Sequence, residues 1–492
     1  GVFTGARQYL GPGCGYGQTA AAAHPSPMAD QSDAAADGSG AKDDAAAGEP
    51  AEPSAGSSRR GRATAITTFL RVRPDKRGGS YFRLPGEGAG LGGTGKELPV
   101  VEVEVPKDEL AGMVDNKRTN WRFRFDGVLG EASLQQEVFE RVAEPVVASV
   151  LEGFNGTIFA YGQTGSGKTY TLTGGVDAYE ERGIIPRALS HIYNKIAATA
   201  GEVEHTVRIS YLEIYNQHGY DLLDSTTAGP RGTGDGGGFT LPRIAGVADD
   251  EDGRGVVVRG LSSHVATSEE AALGLLLIGD TNRAVAETSM NAHSSRSHCI
   301  FTVYIESRAA GGPTVRRSKL QMVDLAGSER VGKTGATGST LGEAKHINVS
   351  LHFLELVIMQ LHEAKRKGGK GDAHVPYRNS LLTSVLRDSL GGNCRTVMVA
   401  AVHPSRAHTD ESISTCRFAQ RVAKIQNEVS KNEEVDPAVL IARLQEENRK
   451  LRDANPADDD GGTELTGADL RALRRAVRLF LADPAPEAVV EW

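Results

Sequence analysis

The strongest chemical signal in the sequence is a glycine-rich stretch, GQTGSGKT, that begins at Gly162 and ends at Thr169. The order of its residues matches the G-x-x-x-x-G-K-[ST] pattern of phosphate-binding loops. Its glycines allow successive backbone N–H groups to turn inward and surround phosphate oxygens. Lys168 would reach the β- and γ-phosphates, and the Thr169 hydroxyl would ligate Mg²⁺. The stretch therefore predicts a site for a nucleoside triphosphate.

The elements on either side of this loop support the same prediction. The apolar residues 157–161 indicate a buried strand, and a helix is expected to start at Lys168. The N-terminal end of that helix would direct its positive dipole toward the bound anion. The alternative is a chance glycine turn ahead of a helix, and the preceding strand argues against it.

Two later motifs could act on the bound phosphates. Asp324 follows the strand-like residues 320–323 and precedes Gly327 in the sequence DLAGSE. An acid at a strand end can hold Mg²⁺ through water, and a glycine can bring its N–H close to a γ-phosphate. Residues 291–298, NAHSSRSH, set hydroxyls beside an arginine, which suits a sensor of the γ-phosphate. Taken alone, either motif could equally be an ordinary polar turn.

Composition and charge narrow the class of protein. The 492 residues include 55 Lys and Arg against 63 Asp and Glu, a formal net charge of −8, which argues against a nucleic-acid-binding protein. No apolar run approaches the ~20 residues that cross a bilayer, and the start lacks the layout of a signal peptide. The sequence thus predicts a cytoplasmic protein that neither binds nucleic acid nor spans a membrane. The cysteines form no C-x-x-C pair and fit a reducing compartment: Cys14, Cys299, Cys394 and Cys416.

The pattern of apolar residues predicts one layered α/β domain over residues 62–424, because strands interleave with helices. Strands are predicted at residues 66–74, 100–105, 121–125, 207–215, 299–305, 319–323 and 396–402. Helices are predicted at residues 136–151, 188–196, 271–278, 341–363, 381–390 and 411–424. Residues 225–255 are expected to be mostly a long surface loop. Residues 1–61, which are poor in large apolar side chains, are expected to be a disordered extension.

Taken together, these motifs resemble the motor domain of kinesins. GQTGSGKT at 162–169, NAHSSRSH at 291–298 and DLAGSER at 324–330 occur in the order found in that family. The resemblance covers about three quarters of the chain and includes RVRP at 71–74, SYLEIYN at 210–216, VPYR at 375–378 and DSLGGN at 388–393. Residues 116–118, 153–175 and 410–427 are most similar to the kinesin-9 class and, within it, to the 9B branch.

The resemblance implies an α/β P-loop NTPase fold of kinesin type, with a central, mostly parallel, twisted sheet and helices on both faces. It also implies ATP and Mg²⁺ as ligands. Arg71, Pro74 and Tyr170 would frame the adenine, with Tyr170 stacking on it. The phosphates would be held by the loop residues Gly162, Gln163, Thr164, Gly165, Ser166, Gly167, Lys168 and Thr169.

The resemblance divides the task of holding the metal among three elements. Ser294 and Ser295 would belong to switch I, and Ser295 would complete the Mg²⁺ shell beside Thr169. Asp324, at the start of switch II, would hold the same ion through water.

The remaining catalytic residues would act on the γ-phosphate and the attacking water. Gly327 would sense the γ-phosphate with the backbone of switch II. Arg296 and Glu329 would pair across the two switches and close a proton-relay pocket around the water. Every residue type that the resemblance requires at these positions is present, so we expect an active ATPase.

Kinesins grip the acidic surface of tubulin with basic residues. The resemblance places four candidates on that face of this chain: Lys333, Lys345, Arg378 and Arg387. A further basic cluster lies at residues 365–370, and its alternative role is to keep a surface loop solvated. At Val349, Leu381 and Ser384 the chain lacks the lysine or arginine that is usual in kinesins. We therefore expect a weak grip on microtubules.

Three segments follow the predicted motor domain. Residues 425–437 occupy the place of a neck linker, and residues 438–454 predict a short helix. This helix has two heptads of coiled-coil spacing, which would support a homodimer, whereas the alternative is a short helix exposed to solvent. Residues 455–492 are expected to form a linker and an amphipathic helix that is truncated. The coiled-coil spacing is carried by Ile441, Leu444, Asn448 and Leu451.

The resemblance implies a microtubule-stimulated ATPase and motor that couples Mg-ATP hydrolysis to movement along microtubules. A motor domain that precedes its neck linker implies movement toward the plus end. The class implies a cytoskeletal location in the axoneme of a cilium or flagellum. The alternative function is a slow or immotile, nucleotide-regulated anchor on axonemal microtubules. A signalling GTPase is excluded, because the sequence contains no N-K-x-D guanine motif.

Overall fold

The computed structural model describes most of the chain between residues 62 and 454. The described residues are 62–75, 80–85, 98–110, 113, 118–175, 178–224, 241–250, 255–290, 296–310, 312, 314–329, 339–366, 375–435, 437–454, 471 and 475. The chain divides into two units, residues 1–57 and 58–492, and all of these residues belong to the second unit. The predicted extension at 1–61 lies outside the described residues, as does the predicted segment 455–492 apart from residues 471 and 475.

The strands and helices follow one another in the alternating order that the sequence predicted. The strands are β1 Arg62–Ala65, β2 Thr67–Val72, β3 Phe82–Arg83, β4 Val100–Glu104, β5 Asn120–Arg124, β6 Gly127–Leu129, β7 Gly156–Tyr161, β8 Val203–Tyr215, β9 His218–Asp221, β10 Gly246–Asp249, β11 Val256–Arg259, β12 His264–Val265, β13 His298–Ala309, β14 Thr314–Asp324, β15 Arg395–Val402, β16 Gln426–Val429 and β17 Glu433–Val435. The helices are α1 Gln135–Val138, α2 Glu144–Leu151, α3 Lys168–Leu172, α4 Ile184–Ala198, α5 Glu269–Met290, α6 Ser339–Arg366, α7 Leu381–Val385, α8 Thr409–Val422 and α9 Pro437–Ala454.

A central sheet positions the strands that carry the chemical motifs. Its strand order is β12-β8-β13-β14-β7-β15-β2-β6, with β9 beside β8 and β17 beside β14. The four pairings from β14 to β6 are parallel, whereas the five other pairings of the described strands are antiparallel. The sheet is therefore mixed, which corrects the expectation of a mostly parallel sheet. β13 and β14 are joined by a short connection, and a short connection can join only antiparallel strands.

Helices cover both faces of this sheet. On one face, α6, α7 and α8 contribute Leu354, Leu382 and Phe418 to a buried apolar cluster with sheet residues. On the other face, α2 and α4 contribute Val147 and Leu189 to a second cluster. Because β7 is covered on both sides, nearly all its residues are buried, which explains its continuous apolar sequence. The layered α/β class is confirmed.

Some predicted elements differ in the structure. The helix expected at 381–390 ends at Val385, and hydrogen-bonded turns carry the chain on to Leu390. Helical spacing persists over this stretch because the turns still direct Leu386 and Leu390 into the core. Within the predicted loop 225–255, residues 246–249 form β10 and pair with β11. Residues 225–240 of that loop lie outside the described residues.

The length and hydrophobicity of the helices can be compared with what a membrane-spanning helix requires. Among the described residues, no helix combines the length and apolar character that crossing a bilayer requires. The 28-residue α6 is the longest of the described helices, and it carries charged residues along its sequence.

The segment expected to be a neck linker lies against the core as two short strands. β16 pairs with β1 and β17 pairs with β14, both antiparallel. The buried Asn427 fixes the start of this segment: its Nδ2 donates to the carbonyls of Ser389 and Cys394, and its Oδ1 accepts from the Gly391 N–H. Since both ends of this amide have partners, burying it costs little.

Two ion pairs fix the end of the same segment. Arg316 Nε lies 2.9 Å from Glu433 Oε1, and Arg317 Nη1 lies 2.6 Å from Glu434 Oε2. Arg316 is directly opposite Glu433 in the β14–β17 ladder, whereas Arg317 is diagonal to Glu434, which is opposite Val315. Their charges therefore favour this register of β17 over a shifted one.

Removing the two acids of β17 should loosen this strand from β14. Exposed ion pairs contribute about 0.2–1 kcal/mol each. We therefore expect Glu433→Gln with Glu434→Gln to cost about 1 kcal/mol and to speed amide exchange of residues 433–435 about fivefold. Hydrogen–deuterium exchange at low salt measures this change, and Glu428→Gln on β16 is the matched control. Unchanged exchange in the double variant would contradict a role for the ion pairs.

Candidate functional site

The glycine-rich loop connects the end of β7 to the start of α3, as its sequence predicted. At Gly162 a side chain is excluded, because an added Cβ would lie 2.1 Å from the carbonyl oxygen of Ala401. Gly167 precedes α3 with φ of 98°, a left-handed conformation that glycine adopts without strain. The glycines are therefore required by the conformation of the loop itself.

The Lys168 side chain lies inside this loop. It is only 8% exposed, and its ammonium donates to the carbonyls of Gly162 and Gln163 at 3.0 Å each. Burial lowers the pKa of Lys168, although the nearby carboxylates of Asp324 and Glu329 oppose the shift. A buried cation held by two carbonyls can exchange these partners for phosphate oxygens, which offer it full negative charge.

Asp324 and Thr169 meet at the same edge of the sheet. β14 runs parallel to β7 with Asp324 opposite Ala160, so both strands end beside the loop. The Thr169 hydroxyl donates to Asp324 Oδ2 at 2.6 Å. Asp324 Oδ1 is buried and has no hydrogen-bond partner among the described residues. An orphaned carboxylate oxygen beside a hydroxyl fits the oxygen ligands that Mg²⁺ prefers.

Glu329 contacts the phosphate-binding loop. Its carboxylate accepts hydrogen bonds from the Thr164 N–H at 2.8 Å and from the Thr164 hydroxyl at 2.6 Å. The Ser328 N–H donates to the carbonyl of Gly162 at 3.1 Å, so the predicted switch II is attached to the loop at two points. The predicted partner of Glu329 was Arg296, whereas its partner in this structure is Thr164.

Two of the three expected adenine-binding residues, Arg71 and Tyr170, contact each other beside the loop. Arg71 is buried, and its Nη1 donates to the Thr171 hydroxyl at 2.8 Å. The Arg71 guanidinium lies 5.4 Å from the centre of the Tyr170 ring, and burial lowers the pKa of Arg71 to about 10. The Tyr170 side chain is 43% exposed and Pro74 is exposed, so both can contact a base from solvent. Arg71 thus orients the tyrosine and anchors α3.

Two of the predicted switch I residues, Ser294 and Ser295, lie outside the described residues. Arg296 is half-buried, and the next residue, Ser297, is buried. The Ser297 hydroxyl accepts from Arg283 Nη2 at 3.2 Å, and Arg283 Nε lies 3.6 Å from Glu213 Oε1. Burial raises the pKa of Glu213, opposed by its hydrogen bond with Ser297 and by Arg283.

This buried polar network supports the end of the predicted switch I from α5 and β8, and it was not predicted from the sequence. The signal in the sequence is Glu213, an acid that stands among apolar residues in the strand sequence SYLEIYN. A carboxylate within a buried strand requires a cation or hydrogen-bond donors. That requirement points to Arg283, but only the fold brings the two together.

Two predicted microtubule-binding residues, Arg378 and Arg387, lie beside the hairpin of β10 and β11. They line an open cavity of about 640 Å³ together with Asp249, Tyr377 and Leu381. Arg387 forms an ion pair with Asp249, and the hydrogen bond from Arg387 lowers the pKa of the Asp249 carboxyl. In this structure the hairpin therefore holds one of the predicted basic contacts.

Leu381 and Ser384, where kinesins usually have a cation, serve the packing of α7. Leu381 packs against the apolar core. The Ser384 hydroxyl donates at 3.0 Å to each of two carbonyls, those of Tyr377 and Ser380. Lys333 lies outside the described residues, and so do residues 367–370 and the side chain of Lys345.

Comparisons with known proteins agree with this geometry. A family model described as the kinesin motor domain matches residues 94–425. Kinesin-like protein KLP1 from Chlamydomonas reinhardtii is 42% identical over 426 residues, which are 85% of this chain and 51% of the relative. Kinesin-like protein KIF9 from Mus musculus is 42% identical over 360 residues, 73% of this chain and 43% of the relative.

A solved structure gives the same result at the level of the fold. It is described as that of a fast kinesin, with implications for its ATPase mechanism and its interactions with microtubules. The two structures superpose with a TM-score of 0.63 at 37% identity, covering 76% of this chain and 95% of that chain. The present chain spans about half the length of the curated relatives that it matches.

Proposed function

This chain belongs to the kinesin motor-domain family, and on that premise we propose that it hydrolyses ATP and uses the energy to move along microtubules. The observation that carries the proposal is that the DLAGSER segment contacts the phosphate-binding loop at both Asp324 and Glu329. Lys168 lies inside the loop, Asp324 bonds to Thr169, and Glu329 bonds to Thr164. A phosphoryl-transfer site requires a loop that holds the phosphates, an acid that holds the metal ion and a switch that responds to the γ-phosphate.

The nucleotide would be bound by exchange of existing contacts. Phosphate oxygens would replace the carbonyls that now accept from Lys168, and the adenine would lie against Tyr170 and Pro74. Thr169 and Asp324, together with Ser295, would hold Mg²⁺. The ion would neutralise charge on the β- and γ-phosphate oxygens.

Hydrolysis would require the switches to close on the γ-phosphate. In the proposed closed state Glu329 leaves Thr164 and pairs with Arg296, and this pair encloses the attacking water. The N–H of Gly327 would approach the γ-phosphate, and Ser294 would line the same pocket from switch I. The carboxylate of Glu329 thus has two alternative partners, one for each state of the switch.

The microtubule face would be formed by Lys333, Lys345, Arg378 and Arg387. The neck-linker position of residues 425–437, docked here as β16 and β17, supports movement toward the plus end. Similarity to kinesin-like protein KIF9 supports a kinesin-9 motor, for which we propose an axonemal location in a cilium or flagellum. The exposed Ile441 and Leu444 of α9 support a homodimer through a short coiled coil.

A second candidate is a nucleotide-regulated microtubule anchor that turns over slowly. Two observations favour this candidate. Leu381 and Ser384 serve the packing of α7 and carry no positive charge, and Arg387 is already paired with Asp249. Both features reduce the cations available to an acidic tubulin surface.

One experiment separates the two functions. Surface-held protein is supplied with ATP and labelled microtubules, and gliding is recorded together with the microtubule-stimulated ATPase rate. Directional gliding with stimulated turnover supports the motor. Microtubules that stay attached without gliding, at low turnover, support the anchor, and a rate that microtubules do not change contradicts both.

Freeing Arg387 should strengthen the grip on microtubules. Asp249→Asn removes one of its two ion-pair partners and leaves Asp388, which lies 3.9 Å from Arg387 Nε. We therefore expect roughly a twofold tighter binding at low salt, the size of an exposed charge interaction. The gain should disappear at ~0.15 M salt, where the Debye length falls to ~8 Å. Co-sedimentation with microtubules measures both, and Asp250→Asn controls for the loss of one negative charge nearby. If the two variants bind equally, the Asp249–Arg387 pair does not limit binding.

A further inference from the structure

A buried histidine connects two elements that the proposed cycle must move together. His298 is the first residue of β13 and is 2% exposed. Its Nδ1 lies 3.0 Å from the backbone nitrogen of Ala326, the residue before Gly327. Its Nε2 lies 2.7 Å from the hydroxyl of Ser350 on α6. One ring therefore contacts both switch II and the long helix that follows it.

The contacts determine which ring nitrogen carries the proton. A backbone N–H can only donate, so Nδ1 must be the unprotonated acceptor of the Ala326 bond. Nε2 then carries the hydrogen and donates it to Ser350. Burial, with a smaller contribution from the charge of Lys168, lowers the pKa of His298 to about 3. The imidazole is therefore neutral at physiological pH and keeps this tautomer.

We propose that His298 is a positioning residue that transmits the position of the Ala326–Gly327 backbone to α6. The proposal rests on the proposed function, in which Gly327 approaches the γ-phosphate. Because the ring is rigid and both its nitrogens are engaged, a shift of the Ala326 peptide must either break a buried hydrogen bond or move Ser350. A buried polar group that loses its hydrogen-bond partner is costly, so movement of Ser350 with its helix is favoured over breaking either bond.

A second contact of α6 links this helix to α8. Glu355 of α6 forms an ion pair with Arg421 of α8, the helix that leads into β16. α6 has 28 residues and so spans about 42 Å. A displacement imposed at Ser350 would thus be carried along the helix and toward the docked segment of residues 426–435.

The test removes one side of the connection at a time. Ser350→Ala deletes the α6 partner and leaves the bond between His298 and Ala326, whereas His298→Ala deletes both bonds. Ser350→Thr retains a hydroxyl and should restore the connection. Ser318→Ala is the matched control, since Ser318 is also buried and donates its hydroxyl to a carbonyl, that of Val150, at 2.7 Å. Thermal unfolding identifies any variant that fails to fold.

Two readouts are expected to change. Ser350→Ala should keep ATP affinity and basal turnover but lose about tenfold in microtubule-stimulated rate, the size of a typical coupling between sites. Hydrogen exchange of residues 349–366 should respond to a non-hydrolysable ATP analogue in the parent and not in Ser350→Ala. A variant that combines His298→Ala with Ser350→Ala should have the same microtubule-stimulated rate as His298→Ala alone. The two changes break the same connection, so their effects should not add.

The outcomes separate this proposal from the proposed function. If the parent lacks microtubule stimulation, the proposed function fails, and the exchange response of α6 alone decides the role of His298. If Ser350→Ala behaves as Ser318→Ala in both readouts, or if the losses of the two single variants add, the positioning role is overturned.

Discussion

Replacing Lys168 with alanine should reduce microtubule-stimulated ATP turnover by about 10³-fold, the cost of removing a main charge-stabilising donor from a preorganised site. The ammonium is buried within the phosphate-binding loop, where it donates to the carbonyls of Gly162 and Gln163. Backbone N–H groups of the loop can orient phosphate oxygens, but they carry no full charge to neutralise the γ-phosphate in the transition state.

The measurement is steady-state ATPase activity with and without microtubules, together with binding of a fluorescent nucleotide. Lys195→Ala, an exposed lysine on α4, is the matched control and should leave turnover unchanged. Lys168→Ala should keep its thermal midpoint near that of the parent when nucleotide is absent. Turnover comparable to the parent would show that the phosphate-binding loop is wrongly assigned.

Gly327→Ala should bind ATP but lose microtubule-stimulated hydrolysis by about 10²-fold, as expected for a misplacement near 1 Å in a reacting site. A Cβ on Gly327 would lie 2.3 Å from both Thr164 Oγ1 and Glu329 Oε2. Either Glu329 must leave Thr164, or the backbone of switch II must move away from the loop. Both changes displace the N–H that is proposed to approach the γ-phosphate.

Nucleotide affinity and single-turnover hydrolysis, measured on the same preparation, separate binding from chemistry. Gly274→Ala on α5 is the control, because an added Cβ there meets no atom within 4 Å. It should leave turnover intact and stabilise the helix by up to about 1 kcal/mol. Hydrolysis that survives while binding is lost would assign Gly327 to nucleotide binding and not to sensing.

The sequence alone was sufficient for the parts of the site that are contiguous in the chain. The loop that ends in Lys168 and Thr169 has a conformation imposed by its own glycines, and the apolar residues before it had to be a buried strand. The placement of Asp324 beside Thr169 was implied only by the resemblance to kinesins, because the parallel pairing of β14 with β7 joins residues that are distant in the sequence. Local patterns failed where a helix and a series of turns have the same spacing, as at residues 386–390.

The tertiary structure alone decided which partner each charged or polar side chain has. Glu329 accepts from Thr164, Arg387 pairs with Asp249, and His298 connects Ala326 to Ser350. These partners lie far apart in sequence, and several chemically equivalent partners exist for each group. Strand order decides which of these partners comes close. Hydrogen bonds and ion pairs then depend on donor–acceptor distance to within a few tenths of an ångström. The motifs can be predicted from the sequence because the local conformation of the backbone requires their residue types. Long-range pairs cannot, because they form only when packing brings distant residues together.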